Sequence, residues 1–212
     1  MKNAKIIIAF VFLISTLQHV NAQDSKFKIG AKGGVNFSNL YADTVDDKNV
    51  LIGFNAGLFA KLPITSFIAV QPEVYFTTKG SELVYNNAFV SGTAKFNLNY
   101  IEVPVLVVIN LTNNFNLHAG PYLGFLINGK VKNDSNANAF DFENNINNDD
   151  FNKIDAGLAV GLGMDADKLS VGVRYSYGMT TVGKQRQFNG TEFTFPDGKN
   201  SVINLYLGIA LN

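Results

Sequence analysis

The chain of 212 residues has no cysteine and no tryptophan, and its charges are balanced, 17 basic against 17 acidic. Without cysteine there is no disulfide, the staple on which small exported domains commonly depend. A formal charge of zero offers a phosphate backbone no net attraction, so no nucleic-acid partner is expected. Charged residues make up 16%, against about 25% in average soluble domains, which is little for a surface wholly in water. Long apolar runs are also missing, with one exception at the start. There, MKNAKIIIAFVFLISTLQHVNAQ sets Lys2 and Lys5 ahead of an apolar stretch from Ile6 to Leu17, and Val20, Asn21 and Ala22 ahead of Gln23. The stretch falls short of the roughly 20 residues a transmembrane helix needs, and the arrangement is that of a cleavable secretory signal. Residues 1–22 are read as a signal peptide and 23–212 as the folded domain.

Beyond residue 23 no helical period of useful length is present, but period-two alternation is everywhere. In FIAVQPEVYFTTKG (67–80), Ile68, Val70, Pro72, Val74 and Phe76 share one face, and Gln71, Glu73, Tyr75, Thr77 and Lys79 share the other. Successive side chains of a strand point to opposite faces, so such alternation predicts a β-strand. Eight segments behave this way: 27–38, 51–62, 67–80, 95–109, 115–128, 151–164, 169–181 and 201–212. Most run 12 to 15 residues. Globular strands usually run about five or six, whereas a tilted strand needs about 9–11 to cross a bilayer. The connections alternate between short (63–66, 110–114, 165–168) and long (39–50, 81–94, 129–150, 182–200). Tight inner turns and long outer loops are the asymmetry of an outer-membrane barrel. The expectation is an all-β, eight-stranded antiparallel up-and-down transmembrane β-barrel, both termini on the short-turn, periplasmic side.

The two faces differ in kind. One phase is nearly free of charge, as in Ile101, Val103, Val105, Val107 and Ile109 or Ile203, Leu205, Leu207, Ile209 and Leu211. The other carries Lys32, Glu73, Glu102, Asp155 and Arg174, but glycine dominates it: Gly30, Gly57, Gly157, Gly172 and Gly208 among others. A strand face in water favours Thr, Lys and Glu, since glycine weakens strands. The inside of an eight-stranded barrel, only wide enough for side chains to fill, suits glycine beside bulky polar groups. The polar face is therefore placed inward and the apolar face against outer-membrane lipid. Lys32, Glu73, Glu102 and Arg174 are expected near mid-height as a salt-bridged lumen network, with Tyr75, Tyr100 and Tyr206 around it, because buried charges need partners. Pro72 and Pro104 fall inside strands, where each removes a ladder hydrogen bond, and a bulge is expected beside them.

The segments IGAKGGVNFS, QPEVYFTTKG, NYIEVPVLVVI, GPYLGFLI, DAGLAVGLGM and VGVRYSYGM resemble, in this order, the PorT-like outer-membrane β-barrel family of Bacteroidota. The resemblance covers essentially the whole domain. It implies an eight-stranded barrel in the cell outer membrane and, through the founding member, a tie to protein secretion. The end, NLYLGIALN, departs from the aromatic terminus usual in such barrels.

Catalytic chemistry finds little material. His118 is the one histidine after the signal, on the inward phase near the short-turn end, with Ser176 on the same phase but farther up. A satisfied lumen residue is the expected role of His118, and no enzyme activity, cofactor or metal is expected. Loop 129–150 offers Asp134, Asp141, Glu143, Asp149 and Asp150 as oxygen donors for Ca²⁺, but without EF-hand spacing it reads as a solvated loop. Phe188, Phe193 and Phe195 in loop 182–200 are candidate contacts for a partner. Three readings follow: a structural or partner-binding barrel with a plugged lumen, a narrow channel or accessory of a secretion or uptake assembly with an envelope protein as partner, and an exported lipocalin-like ligand carrier.

Overall fold

The computed structural model describes residues 27–41, 48–86, 91–135, 142–145, 151–188, 191–194 and 198–212. The signal peptide expected over 1–22 lies outside the described residues, as do Asp141, Asp149, Asp150 and Phe195.

Eight strands form the wall: β1 (Lys28–Tyr41), β2 (Leu51–Pro63), β3 (Ile68–Asn86), β4 (Ser91–Asn110), β5 (Phe115–Ser135), β6 (Ile154–Ala166), β7 (Leu169–Thr181) and β8 (Lys199–Ala210). Each pairs antiparallel with the next, and β8 returns to β1 with Gly30 opposite Ala210 and Tyr41 opposite Lys199. The sheet is closed, which leaves no barrel edge.

Three tight turns lie at one end. In the first two, Thr65 and Thr112 do the same work. Thr65 Oγ1 accepts the backbone N–H groups of Phe67 and Ile68, and Thr112 Oγ1 those of Asn114 and Phe115. The third is the two-residue link between β6 and β7, where Asp167 takes a φ of 51°, the left-handed region that aspartate tolerates. At the same end the Asn212 carboxamide accepts from Ile29 N and donates to Phe27 O, extending the β1–β8 ladder with a side chain.

The other end corrects the expected connections. β3, β4 and β5 run 19, 20 and 21 residues, so most of the loop expected over 81–94 is strand, paired from Gly80–Asn97 to Asn86–Ser91. The loop expected from residue 129 also begins as strand, paired with Phe142–Asn145. Above the apolar band neither face needs to be greasy, so the alternation that marks a strand fades while the ladder continues. A separate hairpin, Gln185–Phe188 with Thr191–Thr194, occupies part of the 182–200 connection.

The prolines also behave differently from expectation. Pairing of β2 with β3 skips the positions around Pro72, and pairing of β3 with β4 skips those around Pro104, but the register resumes unchanged on both. The shift near this region lies instead between Asn99 and Tyr100, on the β4–β5 seam. A missing N–H leaves a gap in a ladder without demanding an extra residue, and neighbouring bonds hold the register.

Burial separates the faces. Leu207 and Ile52 are 69% and 68% exposed, while Glu73 and Arg174 are 3% and 2% exposed. The apolar phase faces out and the charges face in, the reverse of a protein folded in water.

Candidate functional site in the barrel lumen

The lumen is filled in layers. Toward the tight-turn end, Glu73 of β3 lies between Lys32 of β1 and Arg174 of β7. Arg174 grips it with both ends of its fork, Nη1 to Oε2 at 2.7 Å and Nη2 to Oε1 at 3.0 Å. Lys32 Nζ donates to Oε1 at 2.5 Å and Gln71 Nε2 to the same oxygen at 2.6 Å. The two cations also rest against aromatic faces: Lys32 Nζ is 4.3 Å from the Tyr206 ring centre, and Arg174 Cζ is 5.4 Å from it. Arg174 Nε donates to His118 Nε2 at 3.4 Å. An arginine N–H can only donate, so His118 is neutral here and keeps its proton on Nδ1, 3.2 Å from Asn116 Oδ1. His118 is thereby a positioned acceptor for Arg174.

The next layer inverts the charges. Lys79 of β3 is ion-paired with Glu102 of β4 and with Asp155 of β6, the latter at 3.0 Å. Asn200 Nδ2 donates to Asp155 Oδ2 at 3.0 Å, and Tyr122 Oη approaches both Asp155 oxygens at 3.4 Å. Lys79 Nζ stands 4.4 Å from the Tyr122 ring centre and 5.6 Å from that of Tyr100. Tyr75 joins the layers: its hydroxyl donates to Glu102 Oε1 at 3.0 Å and accepts from Arg174 Nη1 at 3.2 Å. Three cations and three carboxylates thus form one connected, charge-neutral group.

Lys32, Glu73, Glu102, Arg174, Tyr75, Tyr100 and Tyr206 all lie buried in this interior. Of the four charges expected to pair among themselves, Lys32, Glu73 and Arg174 do, and Glu102 does not. Glu102 turns to Lys79, and Asp155 completes the second layer. Lys79 was legible as an inward residue of its strand. Asp155 on β6 was legible as inward too, but that the two meet across the lumen was not.

Glycines make the space. A Cβ on Gly57 would strike Tyr75, one on Gly157 would stand 2.6 Å from the Tyr122 ring, and one on Gly172 would lie 2.5 Å from Tyr206 Cζ. Each lumen tyrosine lies against a bare stretch of wall, which is why glycine and tyrosine share the inward phase.

Both ends of the charged zone are covered. Above it Asn36 bonds Thr77 at 2.8 Å and accepts from Asn55 and Asn204 at 3.0 and 2.9 Å. Beyond lies an apolar cluster of Leu40, Leu98, Tyr100, Phe151 and Val182. At the tight-turn end Lys61 bonds Asp165 at 2.8 Å, and a cavity of about 30 Å³ separates that pair from Lys32 and His118. This is room for one water.

Among the described residues no group of three or more His, Asp or Glu is placed to hold a metal. Phe188 and Phe193 fall on the small hairpin, opposite Thr191 and Arg186 respectively.

The model of the outer membrane protein beta-barrel domain family matches residues 21–182. No curated protein matches the chain. Among solved structures, the attachment invasion locus protein Ail of Yersinia pestis aligns over 88% of this chain and all of its own, at 15% identity and TM-score 0.50. Ail in complex with the heparin analogue sucrose octasulfate aligns over the same shares at 14% identity and TM-score 0.51. Neisserial surface protein A aligns over 87% of this chain and 99% of its own, at 12% identity and TM-score 0.45. The likeness to Ail speaks for a common fold. With the family match over most of its length and a wall closed by eight strands, the chain belongs to the outer membrane protein beta-barrel domain family.

Proposed function

We propose that the protein is a non-enzymatic barrel with a sealed lumen, a rigid post in the outer membrane that serves the envelope structurally or presents its outer segments to a partner. One observation carries this reading: the six lumen charges satisfy one another within two linked layers, and an apolar cluster covers them. A conducting pore keeps a wet path, and here ion pairs, tyrosines and asparagines occupy the axis. The same packing argues against a lumen enzyme, since the hydrogen-bond partners of His118 among the described residues are Arg174 and Asn116. The outward apolar phase argues against a lipocalin-like carrier.

In this reading the tight turns and both termini face the periplasm, while the extended β3–β5 sheet and the 185–194 hairpin stand outside. The narrower kinship with PorT-like barrels would make an envelope or secretion-machinery protein the partner. The test is conductance of purified protein in planar bilayers. No steady current is expected at neutral pH, and a stable ohmic conductance would overturn the sealed lumen. Crosslinking in living cells, followed by identification of the attached protein, tests for the partner.

A further inference from the structure

The tight-turn end has two unlike halves. Two neighbouring turns, β2 to β3 and β4 to β5, carry apolar side chains at their tips, where Ile64 is 57% exposed and Leu111 62%. The turns touch, since Asn110 N donates to Phe67 O at 2.8 Å. The β6–β7 turn instead exposes Asp167 and Lys168. Turn geometry favours glycine, proline, asparagine, aspartate and serine, and gives no reason for isoleucine or leucine at a tip.

Their place in the strand phase supplies the reason. Ile64 stands one position beyond β2, in step with the outward residues Phe54 and Leu58. Leu111 stands one position beyond β4, in step with Val105, Val107 and Ile109. Exposed Phe115 opens the outward phase of β5 beside it. The tips thus continue the surface that faces lipid. The backbone of both turns is closed on itself in one scheme. The N–H groups of Ile64 and Thr65 donate to Ile68 O, and those of Leu111 and Thr112 to Phe115 O. With the bonds that Thr65 and Thr112 Oγ1 accept, each turn keeps most of its donors occupied by its own atoms. Water would supply such partners freely, whereas the hydrocarbon of a bilayer supplies none.

We infer that the β2–β3 and β4–β5 turns are immersed in the adjoining lipid leaflet, with Ile64, Leu111 and Phe115 among phospholipid acyl chains, while the β6–β7 turn stands in water. The barrel is thereby seated deeper on its β2–β5 side, and a soluble partner at this end meets Asp167 and Lys168 instead of the apolar tips. That the leaflet is the inner one rests on the orientation proposed above. The immersion itself rests on the membrane setting of the family and not on a sealed lumen.

Electron paramagnetic resonance of single nitroxide labels tests it, since the chain has no cysteine of its own. Ile64→Cys, Leu111→Cys and Lys168→Cys are labelled and placed in phosphatidylcholine nanodiscs, which leave both faces open to water. Labels at 64 and 111 should collide with lipid-soluble oxygen in preference to a water-soluble nickel chelate, and the label at 168 should show the reverse. The chain also lacks tryptophan, so Ile64→Trp gives a second reading. Its fluorescence should fall when the phosphatidylcholine carries bromine on its chains, and that of Lys168→Trp should fall less. Nickel collisions at 64 and 111 as frequent as at 168 overturn the immersion and leave the tips to a soluble protein. Oxygen preference at 168 as well overturns the division into two halves. The heat-dependent gel mobility of a folded barrel confirms that each variant is intact, and a steady current in bilayers would leave these outcomes unaffected.

Discussion

The two charged layers of the lumen are near mirror images. Near the tight turns one carboxylate, Glu73, lies between two cations. One layer farther, one cation, Lys79, lies between two carboxylates. Neither layer is neutral alone, and each offsets the excess of the other through Tyr75. They differ in how the central group is held. Glu73 is gripped by the planar fork of Arg174, which fixes direction as well as distance. Lys79 is a compact point charge resting on tyrosine rings, its two carboxylates steadied separately by Tyr75, Asn200 and Tyr122. The first layer is a clamp. The second is a balance in which one anion can partly replace the other.

That asymmetry can be broken deliberately. Glu73→Leu strands two buried cations at once and should have the largest effect, about 5 kcal/mol or failure to fold, read from urea unfolding in lipid vesicles. Glu102→Leu leaves Lys79 its bond to Asp155, so the loss should fall to about 3 kcal/mol in the same measurement. Equal losses for the two variants would show that the layers do not differ in the way described. Lys61→Ala, at the partly exposed mouth, removes a pair in contact with water and should cost less than about 1 kcal/mol. A loss as large as that for Glu102 would make the mouth part of the same buried network.

Much of the wall was legible before any coordinates. Alternation in 67–80 put Glu73, Tyr75 and Lys79 on one face and Val74 and Phe76 on the other, and that is how β3 is built. The tops of β3, β4 and β5 were read as loop because the periodic signal comes from lipid on one side, and above the bilayer that constraint is gone. The prolines misled for a related reason. A strand that loses one N–H keeps its register if its neighbours hold, and neighbours are not visible in one segment. In the lumen, glycine enrichment announced a crowded interior, whereas the choice of partners did not follow from it. Lys79 and Asp155 are 76 positions apart in the chain, on strands that never pair.

The division follows from the range of the forces involved. Which face a residue takes is a local matter, decided by the pleat and by whether lipid or lumen receives the side chain. Composition and alternation therefore settled the strand count, the inward polar phase and the outward apolar one. Contact across the lumen depends on how far each strand slides against the next as the sheet closes, a property of all eight seams together. Only closure decided that Glu102 meets Lys79 and that Arg174 reaches Glu73.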